Sequence, residues 1–290
     1  MLNPVTIGIA VGYGFLLGVP LLLWVFLSGR NVVDPKKRRR RAILVWVLFV
    51  FLPLTTPIPL WLHAAWGIVL LLAMLRVKGG RCWGIAFVVL TVVVWCDEVR
   101  HHLWWPLRGK EYSRLVLIGD SLTAGMGFGG EVIWPVRLKK ATGWDVVDLS
   151  EAGSTVKLAR NQAERIPEGE SLVLVEIGGN DMLEVGDVAA FEKGLDELLR
   201  MICRPGREVV MFELPLPPFY QRFGEVQRRL ARRYRVRLLP KRFFGGLLMP
   251  SGATEDGLHF SNAGHERVAK FVEGLIGGVM TKTERTRSSN

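Results

Sequence analysis

Apolar stretches occupy most of the first hundred residues of the chain, and a mixed sequence follows them. The first stretch contains 23 uncharged residues, which is long enough for a helix to cross a bilayer. The second, residues 42–75, contains no Asp, Glu, Lys or Arg, and its prolines at 53, 57 and 59 predict a turn between two helices. We therefore predict an α-helical transmembrane region over residues 1–98. Its four helices are expected at 5–27, 42–55, 58–75 and 83–97.

Positive charge is concentrated between these apolar stretches. The net charge of the chain is +11, but residues 30–41 alone carry seven Lys and Arg against one Asp, and residues 76–81 carry three more. We interpret both segments as loops, since basic loops remain in the cytoplasm, and this distribution argues against a nucleic-acid-binding groove. With four spans, the protein lies in the cytoplasmic membrane as a multi-pass protein, with residues 97–290 on the periplasmic or extracellular side. A three-span alternative places those residues in the cytoplasm.

From Glu111 onward, short apolar runs alternate with amphipathic stretches. This alternation predicts strand–helix units and a doubly wound α/β domain with a parallel sheet. The domain is expected over 113–278, after an interfacial linker at 99–112 and before a disordered polar tail at 279–290. Five strands are expected at 114–118, 144–149, 171–177, 208–213 and 235–239. Five helices are expected at 131–141, 155–166, 188–203, 219–234 and 261–277.

Residues suited to nucleophilic catalysis follow the predicted strands, at the edge where ligands bind in such folds. Ser121 follows the first strand, Gly153 the second and Asn180 the third, while Asp256 and His259 lie in a loop after the fifth. His259 can remove the proton of Ser121, and Asp256 can fix the tautomer of the imidazole. The amide of Asn180 and the backbone amides of Ser121 and Gly153 can stabilise an oxyanion. Each motif alone is also compatible with an ordinary turn.

Five segments of the predicted domain, GDSLTAG, EAGST, GGNDML, ELPLPP and EDGLHFSNAGH, occur in this order along the chain. Together they resemble the SGNH, or GDSL-type, hydrolase family, and are most similar to its bacterial thioesterase/lysophospholipase L1-type members. The resemblance implies a three-layer, flavodoxin-like α/β fold with a five-stranded parallel sheet. It also implies that Ser121 is the nucleophile, that Asp256 and His259 complete a catalytic triad, and that Gly153 and Asn180 join Ser121 in the oxyanion hole.

These features favour a membrane-anchored serine esterase that hydrolyses acyl esters or thioesters of lipids or lysophospholipids, without a metal or a cofactor. An O-acetyl esterase or an acyltransferase acting on cell-envelope glycans is one alternative. A membrane sensor or transport module with a hydrolase-like domain is another. The apolar stretches 5–27, 42–75 and 83–96 contain no Asp, Glu, Lys or Arg, which transport paths usually need, so the last alternative is disfavoured.

Other polar residues near the predicted site are expected to have structural roles. Asp120 and Asp181 are expected to support turns through hydrogen bonds, and His265 is expected on the surface of the last helix. The arginines of the helix at 219–234 are expected on a solvated face, with contact to anionic lipid headgroups as the alternative.

Overall fold

Two units divide the part of the chain that the computed structural model describes, residues 10–30, 32–75 and 80–282. The helical unit contains the described residues up to Leu103 together with Pro215–Glu225. The α/β unit contains Trp104–Leu214 and the described residues from Val226 onward.

The helical unit packs large apolar side chains between its helices. Its buried core includes Phe15, Leu22, Phe49, Trp66 and Phe87, and these side chains are at most 4% exposed. The indole Nε1 of Trp66 donates a hydrogen bond to the hydroxyl of Thr91 at 2.8 Å, so the one polar atom of this ring is satisfied. The helices are α1 Tyr13–Gly29, α2 Pro35–Phe51, α3 Leu60–Met74 and α4 Gly80–His102, and a 3₁₀ turn, Leu52–Thr55, follows α2.

The start of α2 corrects the prediction for the first basic segment. The helix begins at Pro35 rather than at residue 42, so Lys36–Arg41 form its first turns instead of a loop. Asp34 explains this start, because its side chain accepts a hydrogen bond from the backbone amide of Lys36 at 2.8 Å. Proline at the first helical position is also favourable, since its missing amide hydrogen has no partner there.

Two further helix boundaries differ from the prediction. The helix expected at 5–27 is observed from Tyr13, and residues 5–9 of that prediction lie outside the described residues. The fourth helix extends to His102 and therefore includes the beginning of the linker expected at 99–112. Among the described residues, α4 alone is long and apolar enough, over Arg81–His102, to cross a membrane by length and composition. Helices α1 and α3 are apolar but have 17 and 15 residues.

The segment Pro215–Glu225 packs against the helical unit through backbone and side-chain contacts. The amide of Leu216 donates a hydrogen bond to the carbonyl of Ala10 at 2.9 Å. The side-chain amide of Gln221 donates to the carbonyl of Leu54 at 2.7 Å. Gly224 allows a close approach, since a Cβ atom there would lie 2.7 Å from Pro57.

The α/β unit contains a parallel five-stranded sheet, as the sequence predicts. The strands are β1 Arg114–Gly119, β2 Asp145–Asp148, β3 Ser171–Glu176, β4 Arg207–Phe212 and β5 Arg237–Leu239. Their order in the sheet is β2-β1-β3-β4-β5, which places the topological switch point between β1 and β3. The pairing of β1 with β2 aligns Arg114 with Asp145, and the pairing of β1 with β3 aligns Leu115 with Leu172.

Helices cover both faces of this sheet. Leu115 and Leu117 of β1 pack with Leu138, Phe244 and Val272 on one face. Because side chains alternate along a strand, the neighbouring buried residues of β1 face the opposite side. The helices that lie entirely in this unit are α5 Ser121–Ala124, α6 Trp134–Thr142, α7 Ala159–Glu164, α8 Val188–Ile202, α10 Lys241–Leu248 and α11 Asn262–Ile276. Helix α9, Gln221–Tyr234, belongs to this unit from Val226 onward.

The helices predicted at 131–141 and 155–166 are observed at Trp134–Thr142 and Ala159–Glu164. Two further segments of this unit differ from the prediction. Helix α10 was not expected, because its two adjacent glycines, Gly245 and Gly246, lower helix propensity. The tail predicted from residue 279 begins later, since the amide of Tyr112 donates to the carbonyl of Val279 at 2.8 Å and the amide of Thr281 donates to the carbonyl of Tyr112 at 2.9 Å. Residues 283–290 of that prediction lie outside the described residues.

Several arginines of α9 and β5 form ion pairs. Arg228 is buried and pairs with Glu213 at 2.6 Å. The remaining pairs are Arg229 with Glu192 at 2.8 Å, Arg233 with Asp196 at 3.0 Å and Arg237 with Glu208 at 2.6 Å. Because acidic partners already compensate these charges, this surface offers less attraction to anionic headgroups than the sequence alone implies.

Candidate active site

Ser121 lies at the carboxyl end of β1, on the first residue of the short helix α5. Asp120 caps this helix, and its side chain accepts a hydrogen bond from the amide of Leu122 at 3.0 Å. The amides of Thr123 and Ala124 donate to the carbonyl of Asp120, which closes the turn. The strand end and the capped turn therefore hold Ser121 at the edge of the sheet. Its backbone amide is the first of the helix, where an intrahelical partner is absent by geometry.

His259 connects Ser121 to Asp256. Its Nε2 atom lies 3.1 Å from Oγ of Ser121, and its Nδ1 atom lies 2.6 Å from Oδ2 of Asp256. The other carboxylate oxygen, Oδ1, accepts hydrogen bonds from the backbone amides of Leu258 at 2.9 Å and His259 at 2.8 Å. The hydrogen bond with the His259 ring, reinforced by these amides, holds the pKa of Asp256 well below its usual range. The carboxylate therefore stays ionised while it orients the imidazole.

The loop that carries Gly153 is joined to the loop that carries Asn180. The side-chain amide of Asn180 donates a hydrogen bond to the carbonyl of Ser154 at 2.9 Å. The neighbouring Asp181 accepts a hydrogen bond from the amide of Val156 at 2.9 Å through its Oδ2. Gly153 has a φ of +75°, a conformation that favours glycine. Two hydrogen bonds thus fix the relative positions of two of the residues that sequence analysis selects.

Gln162 of α7 links the same loop to the end of β1, and the sequence analysis missed it. Its side chain is fully buried and donates hydrogen bonds to the carbonyl of Gly119 at 3.0 Å and to Oγ of Ser154 at 2.9 Å. Its carbonyl oxygen accepts a hydrogen bond from the amide of Gly119 at 3.0 Å. A single buried amide therefore joins the strand before Ser121 to the residue after Gly153. No local motif marks this glutamine in the sequence.

Two buried carboxyl groups, Asp120 and Glu176, lie beneath the site. Glu176 ends β3 and accepts a hydrogen bond from the hydroxyl of Thr123 at 3.0 Å. Burial raises the pKa of Asp120 to about 6. Burial, together with the charge of Asp120, raises the pKa of Glu176 well above its usual range. Near neutral pH, this pair therefore retains a proton that two isolated carboxylic acids would have lost.

We expect Glu176→Gln to reduce the loss of stability of the α/β unit at alkaline pH. Because the folded state binds protons at Asp120 and Glu176 more tightly than the unfolded state, the free energy of unfolding falls as pH rises through about 6. The amide of glutamine can still accept from Thr123 and carries no charge. The apparent melting temperature should therefore fall less between pH 5 and pH 8 in the variant than in the original chain. Each kcal/mol of unfolding free energy that the variant retains at pH 8 corresponds to about 2–4 °C.

The matched control is Glu164→Gln, which removes a carboxylate from an exposed position of α7. Circular dichroism of both variants and the original chain at pH 5 and pH 8 gives the comparison. If the melting temperature of Glu176→Gln fell as much between pH 5 and pH 8 as that of the original chain, Asp120 and Glu176 would not be the groups that hold the proton.

His265 is buried rather than on the surface, which corrects the sequence prediction. It is 1% exposed, and its Nε2 atom lies 2.9 Å from Oε1 of Glu131. Its Nδ1 atom accepts a hydrogen bond from the amide of Trp134 at 3.2 Å. The second oxygen of Glu131 accepts from the amides of Met126, Gly127 and Phe128 at 2.7–3.2 Å. The pair therefore shapes the glycine-rich loop after Ser121, and a surface position was wrongly predicted because Glu131 is distant in the sequence.

The described residues show no grouping of three His, Cys, Asp or Glu side chains that could hold a metal ion.

A parallel α/β sheet with serine, histidine and aspartate in hydrogen-bond contact at its carboxyl edge is an arrangement found in serine hydrolases. The model of the GDSL-like Lipase/Acylhydrolase family matches residues 117–267, which are 151 of the 290 residues. The chain belongs to this family. It is an ester hydrolase with the α/β SGNH-hydrolase fold, preceded by a helical region.

Individual relatives match the same portion of the chain. An arylesterase of Vibrio mimicus is 30% identical over 175 residues, covering 55% of this chain and 86% of the relative. Thioesterase 1/protease 1/lysophospholipase L1 of Escherichia coli K12 is 32% identical over 161 residues, covering 52% of this chain and 77% of the relative. A crystal structure of TesA is 27% identical, covers 56% of this chain and 97% of the other, and superposes with a TM-score of 0.48.

Proposed function

We propose that the chain is a membrane-anchored serine esterase that hydrolyses acyl esters or thioesters of lipid-like substrates. The observation that carries this proposal is the position of His259, with Nε2 3.1 Å from the Ser121 hydroxyl and Nδ1 2.6 Å from the Asp256 carboxylate. In this arrangement, one group can remove the proton of the nucleophile while another stabilises the resulting imidazolium.

The reaction proceeds in two steps. In the first, His259 takes the proton of Ser121 through Nε2 while Oγ attacks the acyl carbonyl, and the imidazolium then protonates the leaving alcohol or thiol. In the second, a water molecule that His259 deprotonates attacks the acyl-serine, and the imidazolium returns this proton to Oγ of Ser121 as the bond to the acyl group breaks and the acid leaves. Asp256 stays ionised throughout, because its contact with His259 and two backbone amides keeps its pKa low.

The negative charge on the acyl oxygen requires hydrogen-bond donors at fixed positions. We assign this role to the backbone amides of Ser121 and Gly153 and to the side-chain amide of Asn180. Asn180 uses one amide hydrogen on the carbonyl of Ser154, which leaves the second for the oxyanion. Gln162 supports the arrangement from below, since it hydrogen-bonds both Gly119 and Ser154.

Exposed apolar side chains in the segments that carry the site residues support an acyl chain longer than acetyl as the substrate group. Met126, Phe128, Leu183 and Leu258 are 37–51% exposed, although all four are large and hydrophobic. They belong to the loops after β1 and β3 and to the loop of His259. Such surfaces gain free energy when they cover hydrocarbon. The named activities of the relatives, which include an arylesterase and a thioesterase/lysophospholipase, agree with an acyl ester or thioester substrate.

A series of p-nitrophenyl esters from acetyl to palmitoyl tests this substrate class on the detergent-purified full chain. Because each buried methylene contributes about 0.8 kcal/mol, we expect kcat/KM to be about tenfold or more higher for octanoate than for acetate. Phe128→Ser should reduce this ratio, whereas Val136→Ser, a change at an exposed position of α6, should leave it unchanged. A maximum at acetate in the original chain would instead favour an O-acetyl esterase that acts on glycans.

The helical unit is proposed to anchor the enzyme in the cytoplasmic membrane through four spans. Large apolar side chains are exposed on every one of its helices, for example Leu17, Phe51, Trp61 and Ile85. Helix α4 is long enough to span. Helices α1 and α3 measure about 26 and 23 Å at 1.5 Å per residue, so the bilayer must thin locally around them. The hydrolase is then placed on the periplasmic or extracellular face.

Reporter fusions at the C-terminus test this topology. We expect a fused alkaline phosphatase to be active and a fused green fluorescent protein to be dark, because four spans place the end of the chain outside the cytoplasm. Fusions made after Leu75, behind three helices, should give the opposite pair of results. An inactive alkaline phosphatase and a fluorescent green fluorescent protein at the C-terminus would support three spans and a cytoplasmic enzyme.

A further inference from the structure

A cavity of about 590 Å³ lies within the helical unit, at the end where α1 and α3 finish and α2 and α4 begin. Its volume is within the range of sites that hold small molecules and is much larger than a single phosphate group needs. The residues that line it come from four helices and their immediate ends, including Gly29 at the end of α1 and Met74 at the end of α3.

The cavity is strongly positive. Arg30, Arg38, Arg41 and Arg81 line it, and the described residues of its lining include no acidic side chain. Asp34 is the one acidic residue among the first 96 of the sequence, and its carboxylate caps α2 by accepting from the amide of Lys36. Because this charge is not compensated within the lining, an anionic ligand would be attracted. Guanidinium groups are the side chains best suited to bind phosphate oxygens in pairs.

Two of these arginines are held in place by contacts of their own. Arg41 donates a hydrogen bond from Nη1 to the carbonyl of Ser28 at 2.5 Å. Arg30 lies with its guanidinium carbon 6.0 Å from the ring centroid of Phe26, and it passes so close to Gly84 that a Cβ atom there would meet Nη1 at 2.0 Å. The site is therefore partly preorganised, which lowers the entropic cost of binding.

The floor of the cavity is apolar. Val25, Phe26 and Val45 line it and are at most 7% exposed, and Met74 lies beside them. A free inorganic anion would leave this surface without a partner. A ligand that combines a negative head with hydrocarbon would satisfy both the arginines and the floor.

We propose that this cavity binds an anionic, phosphate-bearing amphiphile through its four arginines, with the apolar part of the ligand on the floor. The same chemistry could come from a membrane glycerophospholipid or from a soluble phosphate ester that carries an apolar group. The site is separate from Ser121 and His259, which belong to the α/β unit, so the proposal does not depend on the hydrolytic mechanism.

The test uses the detergent-purified full chain and native mass spectrometry with two probes. One probe is phosphatidylglycerol added to the micelles, with phosphatidylcholine as the zwitterionic comparison of zero net charge, and the other is hexyl phosphate added to the buffer. Arg38→Gln with Arg81→Gln removes two charges from the cavity. Arg39→Gln with Arg40→Gln removes the same charge from exposed positions of α2 that do not line it.

We expect the cavity pair to weaken binding of the anionic probe about tenfold or more, which corresponds to the loss of charge-assisted contacts, while the control pair changes it less than about threefold. The probe that shows this pattern identifies the source. Hydrolysis of p-nitrophenyl butyrate should be equal in both variants, which separates this result from the catalytic proposal. Equal weakening by both pairs, no effect of either pair, or no binding of either probe would overturn the site.

Discussion

Replacing Ser121 by alanine is expected to lower kcat/KM for acyl esters by about 10⁴-fold or more, while the fold survives. Alanine lacks the oxygen that attacks the acyl group. The hydroxyl of Thr123, two residues further along, is already engaged, because it donates its hydrogen to Glu176 at 3.0 Å. The change removes one 3.1 Å contact to His259 and creates no large cavity, so the melting temperature should change little. Steady-state hydrolysis of p-nitrophenyl butyrate and circular dichroism measure the two effects.

Ser150→Ala is the matched control for this experiment. Ser150 also follows a strand of the sheet, and its hydroxyl donates to Oδ1 of Asp148 at 2.6 Å without contacting His259. We expect its activity to stay within about threefold of the original chain, as is usual for substitutions away from the reacting groups. Comparable losses in both variants would mean that Ser121 acts through the stability of the sheet edge rather than as a nucleophile.

Replacing Asp256 by asparagine is expected to lower kcat by about 10⁴-fold, with little change in KM. The side-chain carbonyl of asparagine can still accept from the amides of Leu258 and His259, so the loop should keep its shape. Its NH₂ group, however, would face Nδ1 of His259 and favour the tautomer with the proton on Nε2. That nitrogen could then no longer accept the proton of Ser121. Rates measured from pH 6 to 9 would separate this tautomer effect from a loss of folding.

Asp187→Asn provides the control for the loss of one carboxylate. Asp187 caps α8, and its Oδ1 accepts hydrogen bonds from two backbone amides at 2.9 and 3.1 Å, much as Oδ1 of Asp256 does. Asparagine is an equally good cap, so stability and activity should both be nearly unchanged. If Asp256→Asn were equally harmless, the carboxylate would serve only to shape the loop.

The sheet and the residues at its edge could be predicted because they are encoded locally. The first and third strands are short apolar runs that polar or glycine residues follow, and the observed bounds of all five strands lie within two residues of the expected ones. Ser121, Gly153 and Asn180 lie in the loops or turns that follow strands, and Asp256 lies three positions before His259. Parallel topology then places these residues on one edge without further information.

The supporting contacts could not be predicted, because they join residues that are far apart in the sequence. Gln162 and Gly119 share two hydrogen bonds across 43 positions, and nothing in the sequence around Gln162 distinguishes it from a surface residue. The pair of Glu131 and His265 has the same character. The sequence around His265 predicts an exposed helix position, because the contact with Glu131 joins residues 134 positions apart. Buried polar networks of this kind are fixed by the assembled fold.

The start of helix α2 was wrongly predicted for a different reason. Six consecutive charged residues, Lys36–Arg41, predict a loop when charge alone is considered. Lysine and arginine are in fact good helix formers, and the cap at Asp34 with Pro35 gives the helix a start before the apolar run begins. Capping signals therefore locate this boundary better than hydropathy does.

Labelling with a fluorophosphonate tests the central claim most directly, because such a reagent phosphonylates only an activated serine. The full chain in detergent would be incubated with the reagent, and the modified residue would be identified by peptide mass spectrometry. We expect one label per chain on Ser121, rapid in the original chain, much slower in Asp256→Asn and absent in Ser121→Ala. Labelling of another residue, or of the Ser121→Ala variant at the original rate, would contradict the assignment of Ser121, His259 and Asp256 as the catalytic groups.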